Sequence, residues 1–221
     1  MVQRPPLAER LLIPGSAGDL QALVETPQPG DGAPQAVVRA FAVVCHPHPL
    51  YGGTMDNKVV YTVARAFQQC GAPAIRFNYR GVGSSTGSYD EGRGETADAL
   101  AVIDYGRKRW PQAALWLGGF SFGGAVAVRA AASATPARLV LVAPAVTRID
   151  VSAEPAPACP WLVVQGDADD MVPTDQVLAW ARALKPAPAI ALLPGAGHFF
   201  HGRINELRDA VLAFMAQAAT A

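Results

Sequence analysis

The sequence predicts an α/β fold: a mostly parallel, twisted sheet with helices on both faces, led in by an antiparallel hairpin. Three observations carry this. From about residue 36 onward, short apolar runs alternate with amphipathic segments, the pattern of parallel strands joined by helical crossovers. Before that point, "ERLLIPGSAGDLQALVE" reads as two strands around a Gly/Ser turn. The composition, 51% hydrophobic and 16% charged, suits a packed globule rather than a disordered chain.

The elements follow in order. "AVVRAFAVVCHP" is an apolar run of buried-strand type. Residues Asp56 to Cys70 place Val59, Val60, Val63 and Phe67 on one helical face, with Gly71 as the stop. "APAIRFNYRG" is the next strand. Glu95 to Trp110 form a helix that turns Leu100 and Ile103 inward and ends before Pro111. "AALWLGG" is a strand, and an alanine-rich helix starts after Ser121. "ARLVLVAP" and "PWLVVQG" are two more strands, and Thr174 to Leu184 is a helix. "AIALLPG" is the last strand, and Ile204, Leu207, Val211 and Phe214 mark a closing helix. The Pro/Ala-rich pieces near 27–36 and 153–160 read as loops.

The 221 residues suit one domain, 1–221, large enough to bury a substantial core. Eighteen basic and eighteen acidic residues cancel, and no block of like charge occurs, so neither nucleic acid nor an anionic membrane is an expected partner. "MVQRPPLAERLLIPG" holds no apolar stretch of signal-peptide length, and the longest apolar runs are far short of a membrane span. Cys45, Cys70 and Cys159 have no metal-ligand spacing and read as free thiols. A cytoplasmic protein is the expectation.

The chemistry centres on Gly119-Phe120-Ser121-Phe122-Gly123, a G-x-S-x-G pattern at a strand-to-helix junction. Such a turn must be sharp to lift the hydroxyl clear of the sheet, which leaves no room for side chains two residues to either side. The following helix aims free N–H groups at the place where an oxyanion develops. A serine hydroxyl needs a base, and the base needs a group to orient it. His198 lies just past the last strand, where loops gather at the carboxyl edge of the sheet. His201, three residues on, is the weaker candidate. Between serine and histidine, "VVQGDADDMVP" crowds Asp167, Asp169 and Asp170 into one loop, and spacing alone does not choose among them.

The chain order Ser121, aspartate, His198 is that of the α/β-hydrolases. Over nearly its whole length the chain resembles that superfamily, and in particular the small lidless bacterial serine hydrolases of dienelactone-hydrolase-like build. The matching pieces are "HPHPLYGGTMDNKVV", "RFNYRGVGSSTG", "GFSFGG", "VVQGDADDMVP" and "GAGHFFHG". The family pattern G-x-x-D-x-x-V puts the acid on Asp169, flanked by Gly166 and Val172, with Asp167 as runner-up. The relatives named for dienelactone hydrolysis carry cysteine at the elbow, where this chain has Ser121.

Acyl transfer also needs two donors for the carbonyl oxygen. One is the backbone N–H of Phe122, after the nucleophile. The other comes from His46-Pro47-His48-Pro49-Leu50, where the prolines have no N–H to give. The family pattern sets the donor two residues past the first histidine, at the backbone of His48. His46 and His48 lack a third ligand at metal-site spacing, so no metal is expected. "RGVGSSTG" misses the dinucleotide fingerprint by one residue and follows an inner strand, so it reads as a structural turn and no cofactor is implied. Lids in this fold sit between the strands at "LVLVAP" and "WLVVQG". Only about fifteen residues separate these here, enough for a loop but not a cap domain. The expectation is an open-site serine hydrolase cleaving carboxylic esters of small to medium soluble acyl groups. Peptidase, thioesterase or acyltransferase chemistry on the same triad, or a non-catalytic binding protein of this fold, are the alternatives.

Overall fold

A computed structural model of the chain describes residues 6–28 and 37–217. Eight strands form one sheet in the order β1-β2-β4-β3-β5-β6-β7-β8. The lead-in hairpin is β1 (Leu7–Gly15) and β2 (Gly18–Thr26), paired antiparallel; β2 also runs antiparallel to β4 (Ala74–Phe77). From β4 outward every pairing is parallel, through β3 (Ala40–Cys45), β5 (Ala114–Phe120), β6 (Arg138–Val142), β7 (Trp161–Gly166) and β8 (Ala189–Leu193). The antiparallel hairpin, the parallel body and the absence of a cap between β6 and β7 agree with the sequence reading. Of the Pro/Ala-rich stretch near 27–36, residues 29–36 lie outside the described residues.

Strand alternation divides the core in two. Phe41, Val43 and Cys45 of β3, Leu139 and Leu141 of β6 and Val163 of β7 face one side, where α2 (Arg93–Arg109), α3 (Phe122–Ala134) and α4 (Thr174–Ala183) pack. Ala42, Val44, Val140, Val142 and Val164 face the other, against α1 (Lys58–Gln69) and α5 (Ile204–Gln217). Both faces are covered, which is why the central strands read as unbroken apolar runs. Asn57 caps α1, its side-chain oxygen accepting from the Val59 amide at 2.9 Å.

Several element ends shift by a few residues from the sequence expectation, and two of the shifts have a clear local cause. The strand expected over "APAIRFNYRG" ends at Phe77: Asn78 N–H still pairs with the Gln21 carbonyl at 2.8 Å, and side chains capture the two amides after it. Tyr79 N–H donates to His46 Nε2 at 3.1 Å and Arg80 N–H to Asp98 Oδ2 at 2.9 Å. Helix α2 begins at Arg93 rather than Glu95, because Glu95 reaches back as the third helical residue and accepts from Gly92 N at 2.7 Å and Asp90 N at 2.9 Å. The "RGVGSSTG" turn is tied into the frame. Arg80 pairs with buried Asp98 at 2.7 Å, and Ser85 Oγ donates to the Asn78 carbonyl at 2.8 Å.

Candidate active site

Ser121 is the single residue between β5 and α3, with φ 55° and ψ −118°. A non-glycine residue in that left-handed region costs roughly 1–3 kcal/mol, so the surroundings must hold it there. They do so through the backbone. Ser121 N–H donates to the Val142 carbonyl at 2.9 Å, and its own carbonyl accepts from Gly124 at 2.9 Å and Ala145 at 3.0 Å. A Cβ on Gly119 would collide with the Gly123 carbonyl, and one on Gly123 with the carbonyls of Cys45 and His46. All of those obstacles are backbone, which cannot rotate away, so only glycine fits at either position.

His198 is carried by the loop after β8 and is buried, 3% exposed. Its Nε2 lies 3.0 Å from Ser121 Oγ, and its Nδ1 lies 2.8 Å from Asp169 Oδ2. A carboxylate can only accept, so Nδ1 bears the ring proton and Nε2 is left as acceptor toward the serine hydroxyl. Burial pushes the Asp169 carboxyl up. The hydrogen bonds from His198 and from the Val172 and Met171 amides outweigh this and hold it below the usual carboxylate range. Those amides reach Oδ1 at 2.8 and 2.9 Å.

The structure thus brings Ser121, Asp169 and His198 together, and leaves Asp167 and His201 out. Asp167 accepts from the Gly195 amide at 2.6 Å, on an exposed turn. His201 is exposed, its ring beside that of Phe199.

Gln165 is a functional candidate that the sequence reading missed. It is fully buried at the end of β7, and its Nε2 donates to Asp169 Oδ2 at 3.1 Å, the oxygen that also faces His198. The surrounding acceptors, the Val172 carbonyl and Thr174 Oγ1 among them, require the amide nitrogen at that position. A lone amide side chain inside the apolar run "WLVVQG" was the available signal, since such groups are buried only when bonded.

His48 and Phe122 line one cleft of about 500 Å³ with Ser121 and His198. The backbone N–H groups of His48 and of Phe122, the first residue of α3, have no partner among the described residues. The two side-chain rings lie 4.9 Å apart. The His48 ring accepts from Leu50 N–H at Nδ1 (3.3 Å), so Nε2 carries the proton and donates to the Tyr89 hydroxyl at 3.3 Å. Burial lowers the His48 pKa, against the opposing pull of the Glu95 charge.

His46, fully buried, holds the other end of this loop. Its Nδ1–H donates to the Pro47 carbonyl at 2.6 Å, and Nε2 takes the Tyr79 amide. Burial takes its pKa down to about 4 despite that carbonyl, so the ring is neutral. Both of its nitrogens are committed, and no group of three or more metal-ligating side chains occurs among the described residues.

A lidless, mostly parallel sheet with a strained serine after β5 defines the molecule as an α/β-hydrolase. The family model described as serine aminopeptidase, S33, matches residues 39–158, and the chain belongs to that family. A Xanthomonas campestris structure described as an α/β serine hydrolase without a lid is 40% identical, covering 98% of this chain and 97% of its own, with a TM-score of 0.90. An α/β serine hydrolase homologue from Coxiella burnetii is also 40% identical, covering 93% and 96%, with a TM-score of 0.85. Est1E from Butyrivibrio proteoclasticus, solved with ferulic acid bound, is 19% identical, covers 96% and 100%, and has a TM-score of 0.82; at that identity the likeness is one of fold. No helix among the described residues is long and apolar enough to cross a membrane.

Proposed function

We propose that the protein is a cytoplasmic serine hydrolase cleaving carboxylic esters of small to medium soluble acyl groups, working as a single domain without cofactor. The observation that carries this is the continuous hydrogen-bonded line from Ser121 Oγ through the His198 ring to Asp169. Ser121 Oγ attacks the ester carbonyl carbon while His198 Nε2 takes the hydroxyl proton. Asp169 keeps Nδ1 protonated and stabilises the imidazolium. The amides of Phe122 and His48 receive the negative oxygen. Collapse of the tetrahedral intermediate breaks the bond to the leaving alkoxide, which collects the proton from Nε2. Water then repeats the attack on the acyl-enzyme, His198 again taking its proton, and releases the acid and free Ser121. The open, partly aromatic cleft suits soluble esters, and the ferulic acid held by Est1E is an acid of the product type such a reaction releases.

The family description favours a second reading, in which the same triad cleaves peptides from their amino terminus. One experiment covers both. Wild type is expected to label with a fluorophosphonate and Ser121→Ala to fail to, and a panel of esters against matched aminoacyl amides reads the preference. Turnover of amides above esters selects the peptidase. Absence of labelling in wild type removes the hydrolase reading altogether.

A further inference from the structure

The cleft carries one permanent charge. Among the described residues that line it, only Arg148 is a fixed cation, and none is a carboxylate. A guanidinium offers five donors. Arg148 commits Nη2 to the Met171 carbonyl at 2.8 Å, and no carboxylate lies within ion-pair distance of it among the described residues, the neighbouring Asp170 included. That single bond also fixes where the cation sits. Met171 lies in the loop that presents Asp169, its amide donating to Asp169 Oδ1, so Arg148 is anchored to the backbone that orients His198. Arg148 is exposed, and apart from His48, Asn57 and the Ser121–His198 pair the rest of the wall is aromatic or aliphatic, with Tyr51 80% and Phe199 40% exposed beside half-buried Ile149. An unpaired cation set among apolar walls draws anions and rewards a planar carboxylate with paired charge-assisted hydrogen bonds.

Building on the serine-hydrolase reading, we infer that the preferred substrates are esters bearing a carboxylate at some distance from the scissile bond, gripped by Arg148 while the apolar body packs between Phe199 and Ile149. The carboxylate can sit on the acyl or the alcohol side. Hydrolysis itself is unchanged: water adds, the acyl–oxygen bond breaks, and the distant carboxylate takes no part in the chemistry.

The test uses the full-length chain with two pairs of substrates. In the first, 4-nitrophenyl monoesters of glutaric and adipic acid are compared with 4-nitrophenyl alkanoates of equal chain length. In the second, 4-carboxyphenyl butyrate is compared with phenyl butyrate. The readout is the ratio of kcat/KM, anionic over neutral, which cancels any general change in the enzyme. Wild type is expected to favour the anionic member of at least one pair by about five- to tenfold at low ionic strength, with the preference shrinking as salt rises. Arg148→Gln is expected to bring that ratio toward one and Arg148→Glu to invert it; Arg148→Lys keeps part of it. Which pair responds tells the acyl side from the alcohol side. A wild-type ratio at or below one in both pairs, or a preference that survives Arg148→Gln, overturns the inference. Fluorophosphonate labelling of Ser121 alongside keeps the two claims apart: labelling without anion preference sinks this one alone, and no labelling sinks both.

Discussion

At the scale of single residues, the site depends on groups that never meet substrate. Asp169 accepts four hydrogen bonds, from two amides, His198 and Gln165. Removing the Gln165 donor leaves the carboxylate easier to protonate and freer to turn away from the ring. Gln165→Leu is therefore expected to lower kcat about tenfold, the worth of a charge-assisted hydrogen bond of about 1.5 kcal/mol, with KM nearly unchanged. A packing role alone moves stability and leaves kcat in place, so turnover of the folded protein measured beside urea unfolding decides the matter.

His46 makes a second prediction at this scale. Its folded pKa, about 4, lies below the 6.5 of an exposed imidazole, so the unfolded chain binds the proton more readily. The neutral ring's contribution is therefore full above pH 6.5 and is lost as the pH falls from about 6.5 to about 4. A shift of that size is worth up to about 3 kcal/mol. Urea unfolding at pH 7 and pH 5 is expected to show a drop for wild type that is smaller in His46→Gln. Equal slopes in the two proteins contradict it.

Among the elements, the turn between β5 and α3 is the most tightly determined. Gly123 sits against the carbonyls of Cys45 and His46 at the end of β3, so a methyl there must push the start of α3 away from that strand. Gly123→Ala is expected to cost about 2–3 kcal/mol and to abolish labelling at Ser121. Helix α1 is ordinary by comparison. Asn57→Ala loses one cap and is expected to cost about 1 kcal/mol, as chemical denaturation will show.

For the molecule as a whole, buried charge ties the "RGVGSSTG" turn to α2. The Asp98 side chain is fully buried and meets Arg80 at 2.7 Å, with the Arg80 amide on its other oxygen. Asp98→Ala leaves a guanidinium and a backbone N–H unpaired and is expected to cost about 3–5 kcal/mol in thermal or denaturant unfolding. The same turn passes Tyr79 N–H to His46, so the loss is expected to reach the loop that carries His48.

Much of this was legible in the order of residues. Unbroken apolar runs such as "FAVVC" and "WLVVQG" announce strands covered on both faces, and glycines flanking Ser121 announce a turn too tight for side chains, because both are local consequences of backbone geometry. The ends of β4 and the start of α2 were not, since the Tyr79, Arg80 and Gly92 amides are taken by side chains from distant or unexpected positions. The choice among Asp167, Asp169 and Asp170 is of the same kind. By spacing they are equivalents, and the family pattern that favoured Asp169 describes other chains. Only folding, which sets β7 and β8 side by side, turns one of them toward His198 and leaves another to cap a surface turn. Arg148 gains its meaning in the same way, from Met171 beyond the next strand, whereas Gln165 reaches Asp169 only four residues on, through the turn that follows β7. Local sterics and periodicity determined which elements form. Long-range packing, which no short window contains, decided which side chains meet.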